Sequence, residues 1–164
     1  MPTDAPVVAP GAAPRACVVL LGGRPFAVDV AQAREVVVLD AITPVPGAPA
    51  PLVGVMNLRG AVLPVIEARP LLGLPTRGGA RQRALVVADG ERRAAVLIER
   101  VLGLVGDDEL RGEAGERATA LDAGALLTAV RRAWDSASPR EGSLKKAAKV
   151  TFSKTVSFRK GFTI

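Results

Sequence analysis

Leu52–Ile66 reads LVGVMNLRGAVLPVI, two apolar runs joined at Asn57-Leu58-Arg59-Gly60, with Arg59 as the single charge in fifteen residues. Short apolar runs bounded by turn formers are the pattern of buried strands, and Gly60 supplies the permissive backbone of a tight connection. Alternation puts Val53, Val55 and Asn57 on one face of the first strand and Gly54, Met56 and Leu58 on the other. On the second strand Val62 and Ile66 oppose Leu63 and Val65. Both faces are apolar, which predicts a ribbon held between two layers of structure. Arg59 at its tip reads either as a solvated turn residue or as an anchor for an acidic partner surface. The ribbon alone leaves both open.

The chain around it has 164 residues, 49% of them hydrophobic, which suits one domain or two small subdomains sharing a core. The first fifteen residues hold four prolines and no basic leader, and no run of eighteen apolar residues follows. This predicts a flexible leader over residues 1–15 and a cytoplasmic protein. One cysteine, Cys17, excludes a disulfide framework and a cysteine-based metal site, and it reads as a small apolar residue of the first strand. Histidine and tyrosine are absent, which removes the commonest general base and metal ligand. The expectation is a protein with no catalytic residues, no cofactor and no metal. Asp107-Asp108-Glu109 reads as a solvated loop, and Gly22-Gly23 and Gly78-Gly79 lack the Lys-Ser/Thr of a phosphate cradle.

The net charge of +6 is confined to one end. Residues 1–138 carry 15 arginines, no lysine and 15 acids, whereas all five lysines and three of the four phenylalanines follow Pro139. The break in vocabulary divides the chain into a leader over 1–15, a folded body over 16–135 and a basic tail over 136–164. The tail reads as a foreign or grafted extension, as a basic arm for DNA or an acidic membrane, or as a strand pairing with an open sheet edge.

Along the body, Ala16–Leu21 is a strand, Gly22-Gly23-Arg24 a hairpin turn and Phe26–Val30 the returning strand. AQAREVV fits about two helical turns with Ala33 and Val36 inward and Arg34 and Glu35 outward, although Val36–Leu39 fits a strand equally well. Four prolines stiffen Asp40–Pro51. After the ribbon come a short helical turn over Ala68–Leu72 closed by Gly73, and a polar loop over Thr76–Gln82. A hairpin of Arg83–Ala88 with Arg92–Ile98 follows about Asp89-Gly90, the dipeptide of a type I′ turn. Val101–Val105 and Arg117–Leu121 are further strands, and Leu121–Trp134 is a helix. Leu126, Leu127, Val130 and Trp134 line its inner stripe, with Trp134 closing a barrel and Arg131 and Arg132 in the last turn. Short strands with one terminal helix predict an all-β architecture of small barrels.

In their order these pieces resemble the CheW family of chemotaxis coupling proteins. They are VVLLGGRPFAVDV, AREVVVLDAITPVP, VGVMNLRGAVLPVIEARPLLGLP, RALVVADGERRAAVLIERVLGLV and LDAGALL, of which VGVMNLRG followed by the apolar-Pro-apolar strand is the most specific. The resemblance implies two SH3-like five-stranded barrels with a hydrophobic groove between them. It also implies a non-enzymatic adaptor in chemosensory arrays. Its partners would be the cytoplasmic tip of a methyl-accepting chemoreceptor, and the regulatory domain of a CheA-type histidine kinase or another CheW-like protein. Carried over position by position, receptor binding would fall to Glu35, Val36, Ile42, Thr43 and Arg59. Val36 and Ile42 could form an apolar patch for a helical ridge, though both also read as core.

Three departures stand out. Glu67 and Glu99 occupy positions where the family usually has aspartate. After Val105 only DDELRGEA precedes the last strand, so about twenty residues, a loop and one strand of typical length, are missing. That predicts one incomplete barrel with an exposed edge, as in a shortened, divergent family member whose kinase binding is weakened. The third departure is the tail. A rival reading is a small-barrel nucleic-acid binder acting through that tail. Against it, Phe26 and Trp134 are the only aromatics of the body, so a stacking platform is missing.

Overall fold

The computed structural model describes residues 14–76, 82–106 and 118–137. The leader up to residue 13, the loop over 77–81, Asp107–Glu109 and the tail from 138 lie outside the described residues. In chain order the elements are β1 (Ala16–Leu21), β2 (Arg24–Asp29), β3 (Ala33–Val38), β4 (Leu52–Leu58) and β5 (Ala61–Ile66). A 3-10 turn (Pro70–Leu72), β6 (Arg83–Asp89), β7 (Arg92–Ile98), β8 (Arg100–Val105), β9 (Thr119–Ala120) and α1 (Ala123–Ala137) complete them.

The described strands form two sheets, ordered β8-β1-β2-β9 and β3-β6-β7-β5-β4. Tight turns set the register. Leu21 pairs with Arg24 across Gly22-Gly23, and Leu58 with Ala61 across Arg59-Gly60. All four of these loop residues have positive φ, the condition for a type I′ turn, whose twist matches that of the flanking strands. The third hairpin departs from expectation. Its two-residue loop is Gly90-Glu91, between the pair Asp89 and Arg92, and only Gly90 has positive φ. Glycine first and an ordinary residue second is the type II′ pattern, with the Arg92 guanidinium bonded back to Asp89 at the hairpin's base.

The five-stranded sheet curls until its edges meet. After β3 the chain bends through Leu39, and Thr43 exchanges two backbone hydrogen bonds with Val55 of β4, each 2.8 Å. Gly54 permits the crossing. A Cβ there would lie 2.4 Å from the Thr43 carbonyl oxygen and 2.7 Å from Ile42 Cγ2. Inside this barrel Met56, Leu63, Val65, Ala84, Val86, Ala95 and Leu97 form one core.

Two-sided burial belongs to β6–β7 more than to β4–β5. Ala84 and Val86 enter the core of the closed barrel, while Leu85 and Val87 enter a second core with Val19, Leu21, Phe26 and Val28 of the other sheet. On β7, Ala95 and Leu97 face the first of these cores and Ala94, Val96 and Ile98 the second. Unbroken apolar runs such as ALVVA and AAVLI are what a strand buried on both faces requires. The β4–β5 ribbon is sandwiched only at its root, where Pro64 and Ile66 are buried; at its tip Asn57 and Val62 are exposed.

The β1–β2 sheet is the shorter barrel. Cys17 is buried on β1, and burial raises its thiol pKa. The helix α1 packs Ala123, Leu126, Leu127 and Val130 against this core, and Trp134 is buried on the same stripe. Its start is capped by Asp122, whose Oδ1 accepts the N–H groups of Gly124 (2.7 Å) and Ala125 (3.2 Å), while Gln32 accepts that of Ala123 at 3.1 Å. The helix continues to Ala137, so Arg131 and Arg132 stand mid-helix rather than in the last turn, and Arg131 bonds Asp135 one turn on.

Candidate functional site

The tip of the β4–β5 hairpin holds Arg59 in the left-handed region, φ 51°, the one described non-glycine residue with positive φ. That conformation costs an L-residue about 1–2 kcal/mol. Gly60 N–H donates to Asn57 Oδ1 at 2.8 Å, which fixes the turn. The guanidinium then spans to β3, where Nη1 and Nη2 donate to the two carboxylate oxygens of Glu35 at 3.0 and 2.7 Å. The Arg59 side chain is 76% exposed and that of Glu35 28%. Glu35 shares a strand face with Val37, which packs on the closed barrel's core. The pair therefore lies over that barrel's mouth.

The segment expected to offer helical turns is strand β3. Three consecutive β-branched residues, Val36–Val38, pair with Arg83–Leu85 of β6, and tertiary pairing outweighs a weak helical pattern. Side-chain directions change with it. Val36 points out, 43% exposed, with Val38 beside it at 55%, while Glu35, expected in solvent, is bonded. Ile42 is half-buried against the closed barrel's core, and Thr43 is exposed with its backbone locked to Val55. Of the five carried-over residues, Glu35 and Arg59 are bonded together and Val36 presents apolar surface. Ile42 and Thr43 form the crossing beside Gly54.

A second charged cluster escaped the sequence reading. Glu67 and Arg69 are both buried, and the Arg69 backbone N–H and Nε donate to Glu67 Oε1 at 3.0 and 2.8 Å, with Nη2 bonded to Oε2. Arg69 Nη1 lies 3.8 Å from Glu99, whose other oxygen accepts the Gly23 N–H at 3.3 Å. The hydrogen bond to Glu67 raises the Arg69 pKa above the usual guanidinium value, against the lowering effect of burial. Topology explains the convergence. β5 and β7 run parallel, Ile66 beside Val96, so the residues that follow them, Glu67 and Glu99, emerge at the same junction. Both glutamates end an apolar run, a repetition visible in the sequence, and Arg69 two residues later was its unread partner.

A concavity opens where α1 crosses β5 and β7, with Pro64, Ile66, Leu127 and Val130 below and Arg92, Arg93 and Arg131 around it. Val36 and Ile42 do not line it. Among the described residues no group of three or more His, Cys, Asp or Glu could hold a metal. Phe26 and Trp134 are both buried, so the described surface offers no aromatic platform for bases. No described helix is long and apolar enough to cross a membrane.

Residues 15–130 match the family of CheW-like domains. The chain is 35% identical over 78 residues to the chemotaxis protein CheW of Rhizobium meliloti, covering 48% of this chain and 50% of that one. It is 40% identical over 58 residues to the chemotaxis protein CheW of Bacillus subtilis, covering 35% and 37%. It thus spans about half, or less, of the curated relatives it matches. Among solved structures, the scaffolding protein TtCheW of Thermoanaerobacter tengcongensis superposes with a TM-score of 0.51 at 29% identity, covering 57% of this chain and 66% of that one.

Proposed function

Because the chain belongs to the family of CheW-like domains, we propose that it is a non-enzymatic chemosensory coupling protein. In this reading it binds the cytoplasmic tip of a chemoreceptor and links it to a CheA-type histidine kinase in a cytoplasmic array. One observation carries the assignment of the receptor surface: Arg59 is held in a strained conformation at an exposed tip and bonded to Glu35 of β3, the strand whose other face exposes Val36 and Val38. Strain of this kind persists where the surrounding structure fixes it, and it is a pointer to function. A receptor tip is a helical hairpin, and its ridge would lie on Val36 and Val38. An acidic or carbonyl group of that ridge would share the guanidinium of Arg59 with Glu35. Glu35 thereby sets the direction of Arg59 before any partner arrives.

The experiment is titration of a purified receptor signalling fragment against the protein and its Arg59→Glu variant. The expected result is at least tenfold weaker binding with unchanged circular dichroism and melting, since the residue is exposed and remote from both cores. Unaltered affinity, or unfolding of the variant, would refute the assignment. In the same reading the shortened first barrel weakens the kinase contact. Low-micromolar binding of an isolated kinase regulatory domain would overturn that part and leave the receptor surface standing.

A further inference from the structure

We propose that the concavity beside α1 is a docking site for an acidic segment of a partner protein, one that places a single leucine-sized side chain between carboxylates. The site stands apart from the receptor surface, since no residue of β3 borders it. Its floor is apolar: Pro64 and Ile66 come from β5, and Leu127 and Val130 from α1. All four are buried, so core packing sets the shape of the floor before anything binds. The space above them is about 60 Å³, room for about four to six groups the size of a water molecule at 10–15 Å³ each. A leucine side chain, with four carbon atoms, is of that size.

The rim carries the sign of the partner. Arg92 and Arg93 of β7 and Arg131 of α1 border this floor. Arg92 donates through Nη1 to Thr128 Oγ1 at 3.2 Å and through Nη2 to Asp89, which ties the start of β7 to α1 and orients the guanidinium. Arg131 donates through Nε to Asp135 at 3.3 Å. Asp89 and Asp135 thus answer two of the three guanidinium groups. Among the described residues Arg93 has no carboxylate partner, and neither has Arg132 beside Arg131. Glu91, the other acid of the β6–β7 turn, is exposed. Arg92, Arg93, Arg131 and Arg132 therefore outnumber Asp89, Glu91 and Asp135, and the rim stays positive. A positive rim around an apolar pit disfavours basic partners and favours a carboxylate next to an apolar group. A bare phosphate would leave the floor unused, and a lipid chain is far longer than the space.

The test is a titration of the isotope-labelled full chain with the end-blocked peptide EELEE, followed by amide NMR shifts. Saturable shifts at Arg93, Leu127 and Arg131 are expected, half-complete at about 1 mM, the scale of one apolar anchor with one charge-assisted contact. The peptide EEGEE should bind at least tenfold more weakly and KKLKK not at all, comparisons made on the parent chain. Arg93→Glu should weaken EELEE at least tenfold. Arg24→Glu on β2, which changes the net charge equally, should leave it unaltered. Absence of saturable shifts, their appearance on β3 instead, equal affinity for EELEE and EEGEE, binding of KKLKK, or equal losses in the two variants would each overturn the proposal. A tenfold gain in affinity on combining Asp107→Asn, Asp108→Asn and Glu109→Gln would assign the site to this chain's own acidic segment, and so would also overturn it.

Discussion

Replacing Arg69 by methionine should destabilise the protein by about 3–5 kcal/mol, the range for breaking a buried ion pair from one side. The size follows from what is left behind. Glu67 is 6% exposed and takes two side-chain hydrogen bonds from Arg69, besides one from its backbone N–H that methionine keeps, and Glu99 lies across the same guanidinium. Methionine keeps most of the stem's packing, so the loss isolates the charge. Arg59→Ala removes the same chemistry, a two-pronged arginine–glutamate pair, from a side chain that is 76% exposed, and should cost less than about 1 kcal/mol. Urea unfolding separates the two. With a slope of about 2 kcal/mol/M for a domain of this size, Arg69→Met lowers the midpoint by roughly 2 M and Arg59→Ala by under 0.5 M. The double variant Glu67→Leu/Arg69→Met should recover part of the loss, because the buried Glu67 carboxylate is removed with its partner, while Glu99, 27% exposed with its Oε1 buried, still loses the guanidinium. A cost below about 1 kcal/mol for Arg69→Met, or a double variant no better than the single, would refute the reasoning.

Gly54→Ala should destabilise by about 1–3 kcal/mol or more by overpacking, since its Cβ would collide with the Thr43 carbonyl; thermal melting reads the loss. Asp122→Ala should lower the melting temperature near neutral pH and much less in acid. The Gln32 side chain and then the Ala125 and Gly124 N–H groups hold the Asp122 carboxyl below its ordinary value. A depressed carboxylate stabilises above its unfolded pKa of about 3.9 and loses that contribution as pH falls through the folded value, so the two melting curves should converge there. Val36→Asp should change stability by about 0.5 kcal/mol or less, as a surface position does, yet weaken receptor binding. Equal affinity of the two proteins would remove Val36 from the surface.

Local chemistry was the readable part of this sequence. Gly22-Gly23 and Gly60 announce their turns because positive φ falls to so few residue types, and the Leu126, Leu127, Val130, Trp134 stripe needs only a helical period. The β3 segment failed for the opposite reason. Its seven residues satisfy both periods, and the choice was made by β6, some fifty residues away. The candidate site was half legible. Arg59 drew notice as a lone charge in an apolar ribbon, but its pairing with Glu35 depends on how the barrel closes. Nothing local in Glu67, Arg69 and Glu99 reports that β5 and β7 run parallel, and the Gln32–Asp122 contact joins positions 90 residues apart.

β6 and β7 act as a party wall, with alternate side chains belonging to different rooms. Neither half of the molecule can be cut out and kept, because each would take the other's plaster with it. Unfolding should therefore be a single event, and a trimmed outer strand need not bring down the building. That tolerance marks where such a chain can be remodelled: on the outward strands, with the partition left untouched.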